Sequence, residues 1–510
     1  MIGKSPQIEL SANSMRKQSD VTTGIERHWK IAGLIALGLG ILLYFLFAGW
    51  GYDDPYITLR YAENLSEGIG FVYNPGEKIL STTSPLFAIL LSILRNTWID
   101  LPRLAVLIGV ISIPLGGLFI WDLGHTWRKP IVGWMGFLLY PLFPLLLNTL
   151  SSETPVYLFF CLGAFSWYAR KRYNLTAVFC ALAFLTRPDG GLVFTILAIH
   201  HLTNRRQDFS WQPVGLFLAI TLPWILFATI YFGSPIPVTL AAKQQQGAMM
   251  ISQRFASGIS TILSWGYSTR FQYWIIAGLA ILGFLYVLRQ NRQWGLFLSW
   301  PVFHFVAYSI LGVSRYFWYY VPLIPGVIVA AALGTDRIYN FLQHRFPRHK
   351  FLINLACYAL FITIILLQFE HLHFQSNHPD KRVKIYRAVG EWIDTHTEKD
   401  EWVGTLEVGI IGYYAKRPMV DFAGILQPEI AKQLTPKSTY KDSTLWSIQI
   451  YRPDYLVLNP NWFPQLMKNF INPYCQAQED FQGESYGYTG ELIIYHCDWH
   501  ESIIDVTQGN

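Results

Sequence analysis

Apolar residues along this chain are gathered into long runs separated by short polar stretches. The runs fall at 31–50, 104–124, 131–149, 155–169, 175–187, 190–202, 213–232, 272–288, 294–312, 321–334 and 351–369. A helix rises about 1.5 Å per residue and the hydrocarbon core of a bilayer is about 30 Å thick, so runs near twenty residues predict membrane-spanning helices. Eleven are expected, with 175–202 also readable as one broken helix. Leu86–Leu94 is apolar but too short to cross, and reads as a helix at the interface. From about residue 370 the pattern changes. Helical and strand-like segments alternate through Lys381–Thr395, Glu401–Glu407, Pro418–Phe422, Gln427–Gln433, Asp454–Leu458 and Glu491–His496, which predicts a small α/β layer with an antiparallel edge.

Composition agrees with a lipid environment. Hydrophobic residues make up 52% and charged residues 14%, against about 25% charged in ordinary soluble chains. The net charge of +6 is modest and gives no nucleic-acid footprint. Its distribution is more informative. Arg128/Lys129, Arg170/Lys171/Arg172, Arg205/Arg206, Arg289/Arg292 and Arg337/Arg345/Arg348/Lys350 all fall in alternate loops, on the side of the N-terminal segment. By the positive-inside rule that side is cytoplasmic. The first run follows Lys4, Arg16, Lys17 and Arg27, exceeds a signal-peptide core and has no small-residue cleavage site, so it reads as a retained anchor. The expected organisation is a cytoplasmic segment 1–30, a membrane module 31–369 with long outer loops 51–103 and 233–271, and an extracytoplasmic α/β domain 370–510. The expected location is a plasma membrane of the bacterial inner-membrane type. Cys161, Cys180 and Cys357 lie in apolar runs, whereas Cys475 and Cys497 lie in the outer region, as a disulfide or as two free thiols.

Ionisable residues at the outer helix ends carry the candidate chemistry. The first outer loop begins Gly51-Tyr-Asp-Asp-Pro-Tyr-Ile-Thr-Leu-Arg60-Tyr61. Asp54 before Pro55 reads as a helix N-cap followed by proline at the first helical position. Asp53 has no such local explanation, and a carboxylate at the positive end of a helix suits a general base for an acceptor hydroxyl. Glu153 stands one step ahead of a second such start, Thr154–Pro155. Arg187 and Asp189 occupy the next outer turn, Lys243 the long loop 233–271, and Arg315 the turn after that. Each cation alone can be an interfacial snorkelling side chain. Together on one side, Arg187, Lys243 and Arg315 suit a phosphate or diphosphate. The cytoplasmic segments carry no P-loop or dinucleotide signature. An activated group used on the outer side must then arrive attached to a lipid, as on a polyprenyl phosphate.

With these residues in view, the chain resembles the GT-C class of integral-membrane glycosyltransferases. The segment Asp53-Asp54-Pro through Asn74-Pro75-Gly76-Glu77 is similar to the first outer loop of mycobacterial terminal arabinofuranosyltransferases. Glu153-Thr-Pro, Thr186-Arg187-Pro188-Asp189-Gly190, Ala242-Lys243, Glu407-Val-Gly-Ile-Ile-Gly412-Tyr-Tyr and Arg417-Pro-Met-Val-Asp421-Phe-Ala-Gly424 fit the same group. More distant similarity reaches aminoarabinose transferases and protein O-mannosyltransferases. The resemblance implies inverting transfer from a polyprenyl-phosphate sugar to a glycan, lipid or protein hydroxyl, with Asp53 as base and Asp54 and Glu153 orienting the acceptor. Arg187 and Lys243 are then candidate phosphate contacts, Arg315 is a further expected phosphate contact from its place on the same side, and Arg60, Tyr61 and Asp189 are expected to contact substrate. The stretch Ser81-Thr-Thr-Ser-Pro85 departs from the run common in relatives, Gly-Tyr-Thr-Asn-Pro, so the sugar is not carried over. No cofactor is expected, with a divalent cation on the paired carboxylates as the alternative. A transporter or flippase of lipid-linked sugars is the rival reading for the whole chain, and a membrane-anchored binding module is a second.

Overall fold

The computed structural model describes residues 28–95, 98–204 and 210–499. Lys4, Arg16, Lys17, Arg27, Arg205 and Arg206 lie outside the described residues. Every apolar run singled out above is helical. Seven helices among the described residues are long and apolar enough to cross a membrane: His28–Phe47, Leu101–Thr126, Gln212–Phe232, Phe271–Gln290, Arg292–Leu311, Phe317–Arg345 and Pro347–Ser376. The expectation of eleven therefore meets seven by length. The other four runs are cut short by proline and by basic or acidic turns. Pro130–Leu139 breaks at Pro141 and Pro144, while Thr154–Ala169, Tyr173–Thr186 and Gly190–Asn204 are separated by Arg170–Arg172 and Arg187–Asp189. The 175–202 region is thus two helices. Leu86–Leu94 forms the helix Pro85–Leu94, which buries Phe87, Ala88 and Leu91.

Two ion pairs tie the membrane helices at one end. Arg170 forks onto Asp122, which also accepts from Ser166, and Lys129 reaches Asp336 at 2.6 Å. Phe271–Gln290 and Ile324–Arg345 cross where Gly283 and Gly334 meet; a Cβ on either would overlap the facing backbone. Small residues at such a crossing let backbones approach and gain dispersion contact that lipid cannot supply.

The C-terminal layer is a five-stranded sheet of β1 Val403–Thr405, β2 Met419–Asp421, β3 Tyr455–Leu458, β4 Cys475–Gln482 and β5 Glu491–Cys497, in spatial order β2-β1-β3-β5-β4. The first three strands are parallel, and β5 and β4 add an antiparallel hairpin at the edge. The Lys381–Thr395 pattern forms helix Arg382–His396. β4 and the helix Tyr440–Tyr451 were not legible in the pattern. β4 is mostly polar and exposed, as an edge strand can be. Cys475 and Cys497 face each other across the hairpin and form a disulfide, which removes the free-thiol alternative.

Alternate residues of β3 serve two cores. Leu456 and Leu458 join Val420, Phe422 and Ile448 on one face. Tyr455 and Val457 belong to a cluster that also holds Ile385, Val389 and Ile410 of the same layer, and Tyr56, Ile57, Leu59 and Leu104 of the membrane module. That second core is shared, so the layer lacks a complete core of its own. A fragment 374–499 expressed alone is expected to expose this apolar face and to aggregate or unfold without cooperativity. A soluble monomeric fragment with a sharp thermal transition in calorimetry would contradict the shared core.

Candidate active site

The first loop turns sharply after His28–Phe47, and helix Pro55–Ser66 starts with proline at the position expected of it. The neighbouring acids then part company. Asp53 sends its carboxylate to the C-terminal layer, where Oδ1 accepts from the Ile410 amide at 2.7 Å and Oδ2 from the Gly409 amide at 3.0 Å. Asp54 makes no side-chain cap bond. Its Oδ1 meets the Lys243 ammonium at 3.1 Å instead. The expected capping role of Asp54 is therefore corrected: the residue has helical backbone angles, and its carboxylate is drawn to a cation rather than to the helix amides. Because the two carboxylates take different partners, they do not converge on one cation position.

Lys243 is held by aromatic rings as well as by Asp54. Tyr52, Trp318 and Tyr316 form a stack with centroid spacings of 5.3 and 4.5 Å, and the ammonium lies 3.7 Å from the Tyr316 ring centre. The Lys243 side chain is only 2% exposed while that of Asp54 is 31% exposed. Burial works against the lysine charge, yet Asp54 leaves it above its ordinary pKa.

Asp54 lines a cavity of about 650 Å³. Its polar end holds Tyr52, Asp54, Glu153, Arg187, Asp189 and His304; its apolar wall includes Trp224, Ile225, Ile236 and Leu240. Ser81, Thr82, Thr83 and Ser84 also line it, so the stretch that departs from the relatives' run supplies hydroxyls to this cavity. That stretch is pinned from both sides. Tyr61 accepts the Ser81 amide and donates to the Ile79 carbonyl, and Thr239 donates to the Ser81 carbonyl. Arg187 is buried, and four of its five N–H donors are hydrogen-bonded. Nε and Nη2 fork onto Asp189 at 3.1 and 3.2 Å, Nη1 reaches Thr154, and Nη2 also reaches Tyr308. Glu153 stands 3.8 Å away. His304 has one ring nitrogen 3.6 Å from Asp189 and the other 3.0 Å from the Tyr319 carbonyl.

Of the residues singled out in the sequence, Asp54, Glu153, Arg187 and Asp189 meet at this cavity, with Lys243 directly behind Asp54. Glu153 takes the N-cap position itself, so the helix starts one residue earlier than expected, with Thr154 the first helical residue. Three expectations are corrected. Arg315 turns away, donating to Gln253 at 2.9 Å and packing over Gly258, whose missing Cβ makes room for it. Arg60 is buried beside Glu63 at 3.7 Å, and Tyr61 braces Ile79–Ser81; neither lines the cavity. His304, Tyr308 and Trp318 were not singled out, because a lone histidine or aromatic in an apolar run carries no local signal.

Asp53 adjoins a second acid, Glu407, which follows β1 and lies 3.6 Å from Arg382. Burial lifts the Asp53 carboxyl to about 6, against the pull of the Ile410 amide and Arg382. Burial and then the nearby Asp53 lift Glu407 to about 8. Asp421 at the end of β2 is raised to about 7 by burial, although the amides of Ala423, Ile425 and Leu426 oppose it.

Comparison with known proteins follows this geometry. Residues 374–499 match a family model described as a domain of unknown function (DUF8728). A terminal beta-(1->2)-arabinofuranosyltransferase of Mycobacterium tuberculosis is 25% identical over 294 residues, covering 51% of this chain and 45% of that one. The chain thus spans less than half the length of this curated relative. ArnT from Cupriavidus metallidurans, solved with undecaprenyl phosphate bound, superposes with a TM-score of 0.59 at 12% identity, over 92% of this chain and 98% of that one. The Archaeoglobus fulgidus oligosaccharyltransferase with a tethered acceptor peptide superposes at 0.58 and 13% identity, over 84% and 69%. The fold is that of the GT-C glycosyltransferases, a polytopic helical membrane protein.

The raised acids give a signed expectation for stability. Ordinary carboxyls titrate near ~4. Between that pH and about 8 the folded chain keeps protons on Asp53, Asp421 and Glu407 that the unfolded chain has released. Their contribution is fully present at low pH and is lost as pH rises through about 6 to 8. The melting temperature of the full chain in detergent is expected to fall from pH 5 to 9, and E407Q to flatten the upper part of that fall. A melting temperature that rises across this range would contradict the assignment.

Proposed function

We propose that this chain is a glycosyltransferase that moves a sugar from a polyprenyl-phosphate donor to an acceptor hydroxyl, on the outer face of a plasma membrane. The observation that carries the reading is the division of the acid pair. One carboxylate faces a cavity with an apolar wall and a charged end, and its neighbour faces away toward the C-terminal layer. A lipid-linked sugar phosphate has the same two-part character, with an apolar chain and an anionic head. The arrangement of basic loops on the opposite side supports the outward orientation.

In this reading the isoprenoid chain lies along Trp224, Ile225 and Leu240, and the sugar phosphate reaches the polar end. Lys243 and Arg187 supply positive field at the leaving phosphate. Since four of the five Arg187 donors are held by Asp189, Thr154 and Tyr308, with one Nη1 hydrogen left, it acts through its charge at a fixed position rather than as a free fork. The hydroxyls of Ser81–Ser84 border the sugar. Asp53 is the base. Two amides fix its orientation, each oxygen retains a lone pair, and a carboxyl near 6 is ionised at neutral pH yet basic enough to take a hydroxyl proton in the transition state. Attack by the acceptor oxygen on the anomeric carbon expels the polyprenyl phosphate and inverts that centre. Asp54 and Glu153 orient the reacting groups. The acceptor is a hydroxyl of a cell-envelope glycan, lipid or protein.

The test uses the full chain in detergent with polyprenyl-phosphate sugars, arabinofuranose first, scored by release of polyprenyl phosphate. D53N is expected to lower turnover roughly 100-fold or more. R315Q, whose side chain points away from the cavity, is expected to stay within about twofold. Undiminished transfer by D53N would remove Asp53 as base. A protein that only moves lipid-linked sugars across a sealed bilayer would release no phosphate in detergent.

A further inference from the structure

The motif Glu407-Val-Gly-Ile-Ile-Gly412 belongs to a layer that supplies no residue to the cavity lining, yet it is fastened to the first loop. Gly409 and Ile410 donate to both oxygens of Asp53. A Cβ on Gly409 would overlap the Asp53 carbonyl oxygen, and one on Gly412 would overlap the Tyr73 hydroxyl. Tyr73 donates to the Val408 carbonyl at 2.5 Å, and Asn74 makes a pair of bonds to the Met419 backbone at 2.8 and 2.9 Å. The Tyr56 ring meets those of Tyr413 and Tyr414. Both glycines are therefore required by close approach, and each approach is to the loop that carries the acid pair.

We infer that the segment Glu407–Ile410 is a positioning element of the transfer site, by which the C-terminal layer fixes the Asp53 carboxylate and sets a second carboxyl beside it. The inference rests on the reading of Asp53 as the base. Without the two amides, Asp53 would rotate freely about its side-chain bonds on a surface turn. With them it has one orientation, and the layer has a part in the chemistry although it contributes nothing to the cavity. Glu407 adds the matching electrostatic part. Anchored by Arg382, it holds a carboxyl beside Asp53, and its uncharged form at neutral pH spares Asp53 a neighbouring negative charge. The membrane module alone thus lacks a positioned base.

Two measurements on the full chain in detergent test this. The first is turnover of the polyprenyl-phosphate sugar by E407Q and G409A, with kcat and donor KM separated. Misplacing a base lowers the rate of the chemical step without loosening the donor. G409A is expected to lose roughly tenfold or more in kcat with little change in donor KM, and E407Q, which keeps position 407 uncharged, to stay within about twofold at pH 7. Unchanged kcat in a folded G409A would overturn the inference, and a tenfold loss in E407Q would overturn the role given to an uncharged Glu407. Should G409A fail to fold, the exchange measurement decides. The second measurement does not depend on turnover: hydrogen–deuterium exchange of the Gly409 and Ile410 amides in wild type, D53N and D54N. An asparagine at 53 sets an NH2 group against one of the two amides, so exchange there is expected to rise about tenfold in D53N and to stay as in wild type in D54N. Equal exchange in all three would overturn the clamp. If wild type releases no polyprenyl phosphate from any donor, the transferase reading fails and the exchange result alone decides whether the clamp exists.

Discussion

Two main-chain amides close on the carboxylate of Asp53, and most of what surrounds the site follows from that contact. Gly409 and Ile410 lie more than 350 residues away along the chain, so the contact exists only once the membrane helices and the C-terminal layer have docked. A carboxylate drawn one way by amides leaves its neighbour free to turn the other way. Asp54 then meets Lys243, which the stack of Tyr52, Trp318 and Tyr316 has already sheltered from water. A pair of adjacent acids that would repel each other in one place is split between two cationic or amide partners on opposite sides of a turn.

The same division explains the shared hydrophobic core. An ion pair or an amide clamp at an open interface would be screened by water and worth little. Here the surrounding apolar cluster runs from Tyr56 and Leu59 through Ile410 to Tyr455 and borders the contact, leaving Asp53 half-buried. The burial that raises the carboxyl of Asp53 is thus the burial that joins the two parts of the molecule. Stability and the proposed chemistry draw on one set of residues, and the layer cannot be treated as an appendage.

Much of this was legible in the sequence, and the failures have physical causes. Run lengths located every helix of membrane length among the described residues, because apolarity over about twenty residues is a long-range signal that survives local detail. They overcounted full spans, since Pro141, Pro144 and the charged turns at 170–172 and 187–189 shorten helices without changing the apolar average. The acid pair and the turns at Glu153 and Arg187 were found because charge at a helix end is costly in lipid and so conspicuous. The roles were harder. Asp54 before proline reads as a cap only if no cation competes, and Lys243 stands 189 residues away. Arg315 shares a side with Arg187 but points along another helix, a direction that spacing cannot give. His304 sits in an apolar run, and Glu407 and Gly409 acquire meaning only beside Asp53. Strand β4, polar along an exposed edge, offers no apolar alternation to read.

The central claim is that the Asp54 side of the acid pair faces the lipid-linked donor. The most direct measurement is a cryo-EM structure of the full chain with polyprenyl phosphate added. The account predicts the phosphate at the polar end of the cavity, near Asp54, Lys243 and Arg187, with the isoprenoid chain along Trp224, Ile225 and Leu240. A phosphate bound elsewhere, with that cavity left empty, would contradict it.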